Sequence, residues 1–131
     1  MKRLLALLIV VVLVSAAQAY GHHSFAATYI EDKTAQIEGT LVQFLFRNPH
    51  SFVYVDARDE NGEMQRWAVE WGGAGQLAGQ GVTHESLKAG DVLTITGNPG
   101  RNPDDHRLRM VSLRRKSDNF GWPQRPSDKF N

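Results

Sequence analysis

Five histidines are the residues of this chain whose type and spacing could do chemistry. Imidazole titrates near neutral pH without perturbation and also takes transition metals readily. His22 and His23 are adjacent, His50 ends the turn Asn48-Pro49-His50, His106 closes a loop dense in turn formers, and His84 stands apart. The chain has no cysteine, so thiolate ligation, disulfides and thiol nucleophiles are excluded together. Chemistry falls to His, carboxylate, hydroxyl or Met.

What the adjacent pair can do depends on where the mature chain starts. Residues 1–19 hold Lys2 and Arg3, no acid, an unbroken apolar run from Leu4 to Val14, and Ala17-Gln18-Ala19, a small-x-small cleavage pattern. This reads as a secretory signal peptide cleaved after Ala19, and the protein is expected to be periplasmic or secreted. The apolar run is well short of the roughly 20 residues a membrane-spanning helix needs, so the mature chain is expected to have no transmembrane segment. Cleavage there leaves Tyr20-Gly21-His22 at the N-terminus. Amine, two deprotonated amides and imidazole then form a square-planar set of four nitrogens, a geometry that selects Cu(II) or Ni(II) over Zn(II), with copper heading the affinity order. The expected metal residues are Tyr20, Gly21, His22 and His23, with His50 joining them and copper as the favoured ion. The other reading of the arm is a polar, disordered segment without a ligand.

The remaining candidates each have a structural reading beside the functional one. His50 either contributes to the site or closes its turn by bonding a backbone carbonyl. His106 is expected to begin a strand from a solvated loop, and His84 to sit on the surface of a short turn. Glu70 either orients a histidine from behind or forms a plain cross-strand ion pair. With Trp67 and His106 it completes the candidate ligand face.

The elements that must position these residues are mostly strands. Thr34 to Phe46 alternates Ile37, Gly39 and Leu41 against Glu38 and Thr40, as a long strand bending at Gly39 would. Ser51 to Arg58 and Glu63 to Trp71 are joined through Asn61-Gly62 as a hairpin, and Trp67, Val69 and Trp71 share a face. Asp91 to Gly97 and Arg107 to Arg114 are two further strands, and Ala74 to Ala78 is a short helix candidate. Arg107, Arg109, Arg114 and Arg115 interleave with Leu108, Met110, Val111 and Leu113, which suggests a solvated edge strand. The order predicts an all-β fold with small α content: a five-stranded OB-like barrel with a short helix between strands 3 and 4, binding beside the loops after strands 1 and 4. An open antiparallel sheet or small sandwich is the rival. The chain divides into the signal peptide 1–19, an N-terminal arm 20–33, the barrel 34–115 and an extended tail 116–131. In that tail Phe120, Trp122 and Phe130 either pin it to the barrel or anchor a partner.

Charge narrows the function classes. The chain carries fifteen bases and fourteen acids; without Lys2 and Arg3 the mature balance is about −1, which disfavours a generic nucleic-acid binder. Residues 20–100 are net acidic and residues 101–131 net basic, so either the two ends attract or the basic tail meets an anionic surface such as lipid headgroups. There is no phosphate loop or dinucleotide fingerprint, and neither Ser24 nor Ser51 sits in a nucleophile elbow or oxyanion turn. The protein is read as not an enzyme.

His22-His23-Ser24-Phe25, Gly39-Thr40, Asn48-Pro49-His50, Trp67-Ala68-Val69-Glu70 and Leu87-Lys88-Ala89-Gly90-Asp91 together resemble a family of small exported bacterial proteins, domain of unknown function 6152. The similarity covers roughly Gly21 to Leu113. It implies an exported single domain without an established activity, and here Tyr20-Gly21 precedes the His pair, which in the family often follows the cleavage site directly. The expected function is an exported, non-enzymatic binding protein for a late transition metal. The alternative is an OB-like module that binds a small molecule, glycan or periplasmic protein partner without metal. Its candidate contacts are Phe44, Phe46, Phe52, Tyr54, Trp67 and Trp71.

Overall fold

The computed structural model describes residue 1 and residues 25–123. Its strands are β1 (Ala35–Leu45), β2 (Phe52–Arg58), β3 (Met64–Glu70), β4 (Val92–Pro99), β5 (Arg107–Arg115) and β6 (Gly121–Trp122), with helix α1 (Ala74–Ala78) between β3 and β4. The sheet order is β3-β2-β1-β4-β5-β6, and a β3–β5 pairing closes the first five strands into a barrel. All pairings are antiparallel except β3–β5, which sets Ala68, Val69 and Glu70 against Arg107, Leu108 and Arg109 in parallel. This is the expected five-stranded OB-like barrel, with the short helix where the sequence placed it.

The long first strand serves both halves of the barrel. Its N-terminal part, Ala35 to Thr40, pairs with β4, and its C-terminal part, Gly39 to Leu45, pairs with β2. Gly39 lies in both ladders, and a Cβ there would stand 2.6 Å from the Asp56 carbonyl oxygen. Only a glycine lets the facing backbone come that close.

Alternation sends one face of each strand inward. Leu41, Val53, Val55, Val69, Leu93, Ile95, Leu108 and Leu113 form the core, and Trp71, Leu77, Val82 and Leu87 close one end. Leu77 is fully buried, a placement worth about 1.5–3 kcal/mol for such a side chain. The glycine before α1 supplies no side-chain cap. The β1–β2 loop caps the helix instead, through Asn48 Oδ1 accepting from Gly75 N at 3.2 Å and the Arg47 carbonyl accepting from Ala74 N at 3.0 Å. The loop that carries His50 is thereby fixed to the crossover.

Two features differ from the sequence reading. Of the segment 20–33 read as an arm, residues 25–33 are described, and they pack on the barrel. Residues 25–28 are helical, Tyr29 is fully buried, Arg101 N donates to the Thr28 carbonyl, and Asn98 Nδ2 donates to the Glu31 and Lys33 carbonyls. β5 is not a solvated edge, because closure gives it β4 on one side and β3 and β6 on the other. Its arginines face partners: Arg107 meets Glu70, Arg109 meets Glu31 and Arg115 meets Asp91. Of the two readings of the tail, pinning fits the described residues, with Gly121 and Trp122 pairing on β5 and both Phe120 and Trp122 packing against the core. Phe130 lies outside the described residues.

Candidate functional site

The end of β3 and the turn before β2 build the site. Ser51, next to His50, is fully buried and bonds across the β2–β3 junction: its N–H donates to the Gly72 carbonyl at 3.0 Å, and its carbonyl accepts from Trp71 N at 2.8 Å. Those two bonds set His50 beside Glu70. His50 Nδ1 lies 2.8 Å from Glu70 Oε1. Tyr29, arriving from the N-terminal segment, donates its hydroxyl to Glu70 Oε2 at 2.5 Å. Arg107 Nη2 stands 3.7 Å from the same oxygen. A nearly buried carboxylate is thus held by a phenol, an imidazole and a guanidinium, as burial of a charge requires.

The phenol bears the cost of that arrangement. Burial, then the bond to Glu70 and its negative charge, push the Tyr29 hydroxyl well above the ordinary tyrosine range. Tyr29 therefore stays a donor throughout the physiological range, and Glu70 keeps a neutral partner on Oε2. On the other oxygen the nearer ring nitrogen is Nδ1, and a proton there leaves Nε2 with its lone pair. A carboxylate behind a histidine in this way fixes the tautomer and raises ligand basicity.

Phe25 covers the other side of His50, with ring centroids 5.3 Å apart, and the Arg109 guanidinium lies 4.0 Å above the Phe25 ring. Arg109 also pairs with Glu31 at 3.1 Å. Beneath the imidazole is a cleft of about 230 Å³ whose walls include Phe25, His50, Trp71, Gln76, Met110 and Trp122. Trp122 crosses Trp71 edge to face at 5.1 Å and donates its indole N–H to Gln80 Oε1 at 2.8 Å. The indole N–H groups of Trp67 and Trp71 are buried without a partner among the described residues.

Trp67 and His106 form a separate place. His106 caps a 3₁₀ turn in the left-handed region at φ 44° and stands against Trp67 with centroids 5.2 Å apart. It faces Asp59 at 3.7 Å with 22% of its side chain exposed, less solvated than its loop position suggested. These residues line a cleft of about 370 Å³ between the β2–β3 turn and the β4–β5 loop. His84 is a surface residue, 75% exposed beside Glu85. The aromatics named for the barrel face divide: Phe44, Phe46, Trp67 and Trp71 belong to the core or pack on it, while Phe52 and Tyr54 stack on each other with centroids 6.2 Å apart.

Of the residues predicted to matter, His50 and Glu70 are brought together, and Trp67 and His106 line the second cleft. Tyr20, Gly21, His22 and His23, with residues 1–19 apart from Met1, lie outside the described residues. Among the described residues no group of three or more His, Cys, Asp or Glu is placed to hold a metal ion. No helix among them is long and apolar enough to cross a membrane. The sequence reading missed Tyr29, Arg107 and Phe25. Of these only Phe25 carried a local signal, as the residue closing the His22-His23-Ser24-Phe25 motif.

Fold and site define a small OB-like barrel with a carboxylate-held imidazole at one mouth. The chain belongs to a family of unknown function, DUF6152, whose model matches residues 9–109. No curated protein matches it. A similar solved structure is the mitochondrial single-stranded DNA binding protein Rim1 of S. cerevisiae, at 9% identity and a TM-score of 0.48, covering 66% of this chain and 97% of that one.

Proposed function

We propose that this is an exported, non-enzymatic protein that binds a late transition metal, copper first, through His22 and His23 with His50 as a further ligand. The observation that supports the reading is the 2.8 Å approach of Glu70 to His50 Nδ1, which leaves Nε2 as the ring nitrogen away from the carboxylate. The packing of Phe25 on His50 adds reach. A chain extends at most about 3.6 Å per residue, so His23 stays within about 7 Å and His22 within about 11 Å of the Phe25 Cα. If the mature chain begins at Tyr20, its amine, two amides and the His22 imidazole supply four nitrogens for Cu(II).

The test is Cu(II) titration of the chain beginning at Tyr20, read by visible absorption, beside a form lacking residues 20–23 and a His50→Ala variant. A d–d band typical of square-planar nitrogen ligation, lost with residues 20–23, supports the arm site. A copper-dependent rise in melting temperature that His50→Ala abolishes supports the added ligand, since a ligand stabilises only by preferring the folded chain. No band and no shift at stoichiometric copper would end the metal reading.

The alternative is an OB-like module for a small molecule, glycan or periplasmic protein partner. It is supported by the cleft of about 370 Å³ beside Trp67 and His106, a size in the range of small-molecule sites. It predicts a ligand whose binding ignores residues 20–23.

A further inference from the structure

Copper has two oxidation states with different ligand tastes, and the cleft under His50, which Glu70 and Gln76 also border, holds in Met110 a thioether that suits one of them. We infer that this cleft is a soft monovalent-cation site, for Cu(I) or Ag(I), built by His50 Nε2 and the Met110 thioether with the indoles of Trp71 and Trp122 as its walls. The inference deepens the copper reading and rests on it for the role of His50.

The lining supports the assignment. Met110 is on β5, 7% exposed, and borders the same cleft of about 230 Å³ as His50. A thioether is a poor ligand for hard or borderline divalent ions and a good one for Cu(I). Imidazole suits copper in either state. The flanking indoles, Trp71 at 4% exposure and Trp122 laid across it, offer aromatic faces that attract a desolvated cation. Charge points the same way. Arg109 also borders the cleft, and Arg107 stands behind Glu70. At a given distance they repel a monovalent ion half as strongly as a divalent one. Glu31 holds Arg109 at 3.1 Å and Glu70 faces Arg107, so much of that repulsion is neutralised locally. A closed-shell monovalent ion is satisfied by two or three ligands, a number this cleft can supply, whereas the four nitrogens of the N-terminus suit Cu(II).

The experiment uses the chain beginning at Tyr20 with methyl-labelled methionine. Ag(I) serves as a redox-inert stand-in, and Cu(I) is measured anaerobically against a chromophoric chelator. Met64, 58% exposed on β3, is an internal control. The inference expects the Met110 methyl to shift at one equivalent while Met64 does not, with quenching of indole fluorescence. Met110→Leu, which conserves volume, is expected to weaken Cu(I) at least about tenfold and to leave the Cu(II) band intact. Unchanged Cu(I) affinity in Met110→Leu with an intact Cu(II) band would overturn this site and spare the arm reading. A Met110 shift without any Cu(II) band would do the reverse. Should Met110→Leu fail to fold, the wild-type spectra decide: parallel shifts of both methionines, or none, refute the site.

Discussion

Glu70 joins two segments that are far apart in sequence, taking Tyr29 from the N-terminal segment on one oxygen and His50 from the β1–β2 loop on the other. Glu70→Gln keeps the shape but can accept with only one of its two side-chain atoms, so either the phenol or the imidazole faces an amide NH₂. The expected cost is about 1–3 kcal/mol, the price of an unmatched buried polar group, seen as a lower urea midpoint with an unchanged slope. Copper affinity at His50 is expected to fall roughly 10- to 100-fold, as when a histidine loses the partner that orients it. Wild-type stability in Glu70→Gln would mean that the pair carries no weight.

Tyr29 makes the fold sensitive to alkali. Its phenol is held above the ordinary value in the folded chain by burial and by Glu70, whereas unfolded tyrosine ionises near about 10. Below that pH both states keep the proton and the contribution is fully present. Above it the unfolded chain releases its proton first, and stability falls as pH rises toward and through the folded value. Tyr29→Phe removes this dependence. Urea midpoints of the two proteins from about pH 8 to about pH 11 are expected to converge as pH rises, and parallel curves would refute the assignment.

The strands could be read because their alternation is local: Ile37, Gly39 and Leu41 face one way, and Asn61-Gly62 marks a turn in which Gly62 takes φ +80°. The helix at Ala74–Ala78 was equally local, bounded by glycines. The parallel closure of β3 on β5 was not legible, since nothing near Ala68 announces Arg107. The partnership of Tyr29 with Glu70 was hidden for the same reason, the two lying 41 positions apart. Tyr29 stands with Phe25 and Ile30 among small and charged residues, and so short an apolar pattern reads as an arm. Val111 is 42% exposed because the β4–β5 register slips beside it, between Thr96 and Gly97, which period-two reading could not foresee.

Two glycines are expected to respond to alanine with opposite signs. At Gly39 a Cβ would meet the Asp56 carbonyl at 2.6 Å and the Ala57 Cβ at 2.8 Å, so the β1–β2 ladder must part. Gly39→Ala should cost about 1–3 kcal/mol, as overpacking does. At Gly75, inside α1, a Cβ meets nothing within 4 Å. Gly75→Ala should stabilise by about 0.4–1 kcal/mol by restricting the unfolded chain. Chemical denaturation of both variants checks the pair, and a loss at Gly75 would show that α1 needs glycine for another reason.

The docked tail depends on one guanidinium. Arg115 forks onto both oxygens of Asp118 at 2.9 Å, reaches Asp91 at 2.9 Å and the Ser86 carbonyl at 2.8 Å, and covers the Phe120 ring at 5.0 Å. Lysine has neither the fork nor the planar face, so Arg115→Lys should loosen residues 118–122 while the barrel stays folded, at about 0.5–3 kcal/mol. The readout is Trp122, whose indole lies on Trp71 and donates to Gln80; its emission should shift red and its amide exchange faster. Acid should reproduce the effect. Arg115 first, then the Phe120 N–H, hold the Asp118 carboxyl down to about 2, below the unfolded value of about 3.9. Its contribution is present above the unfolded value and lost as pH falls through the folded one. The hold on the wild-type tail is therefore expected to weaken progressively as pH falls from about 3.9 toward about 2. A tail that stays docked below about pH 2, or an unchanged Trp122 in Arg115→Lys, would mean that aromatic packing alone holds the tail.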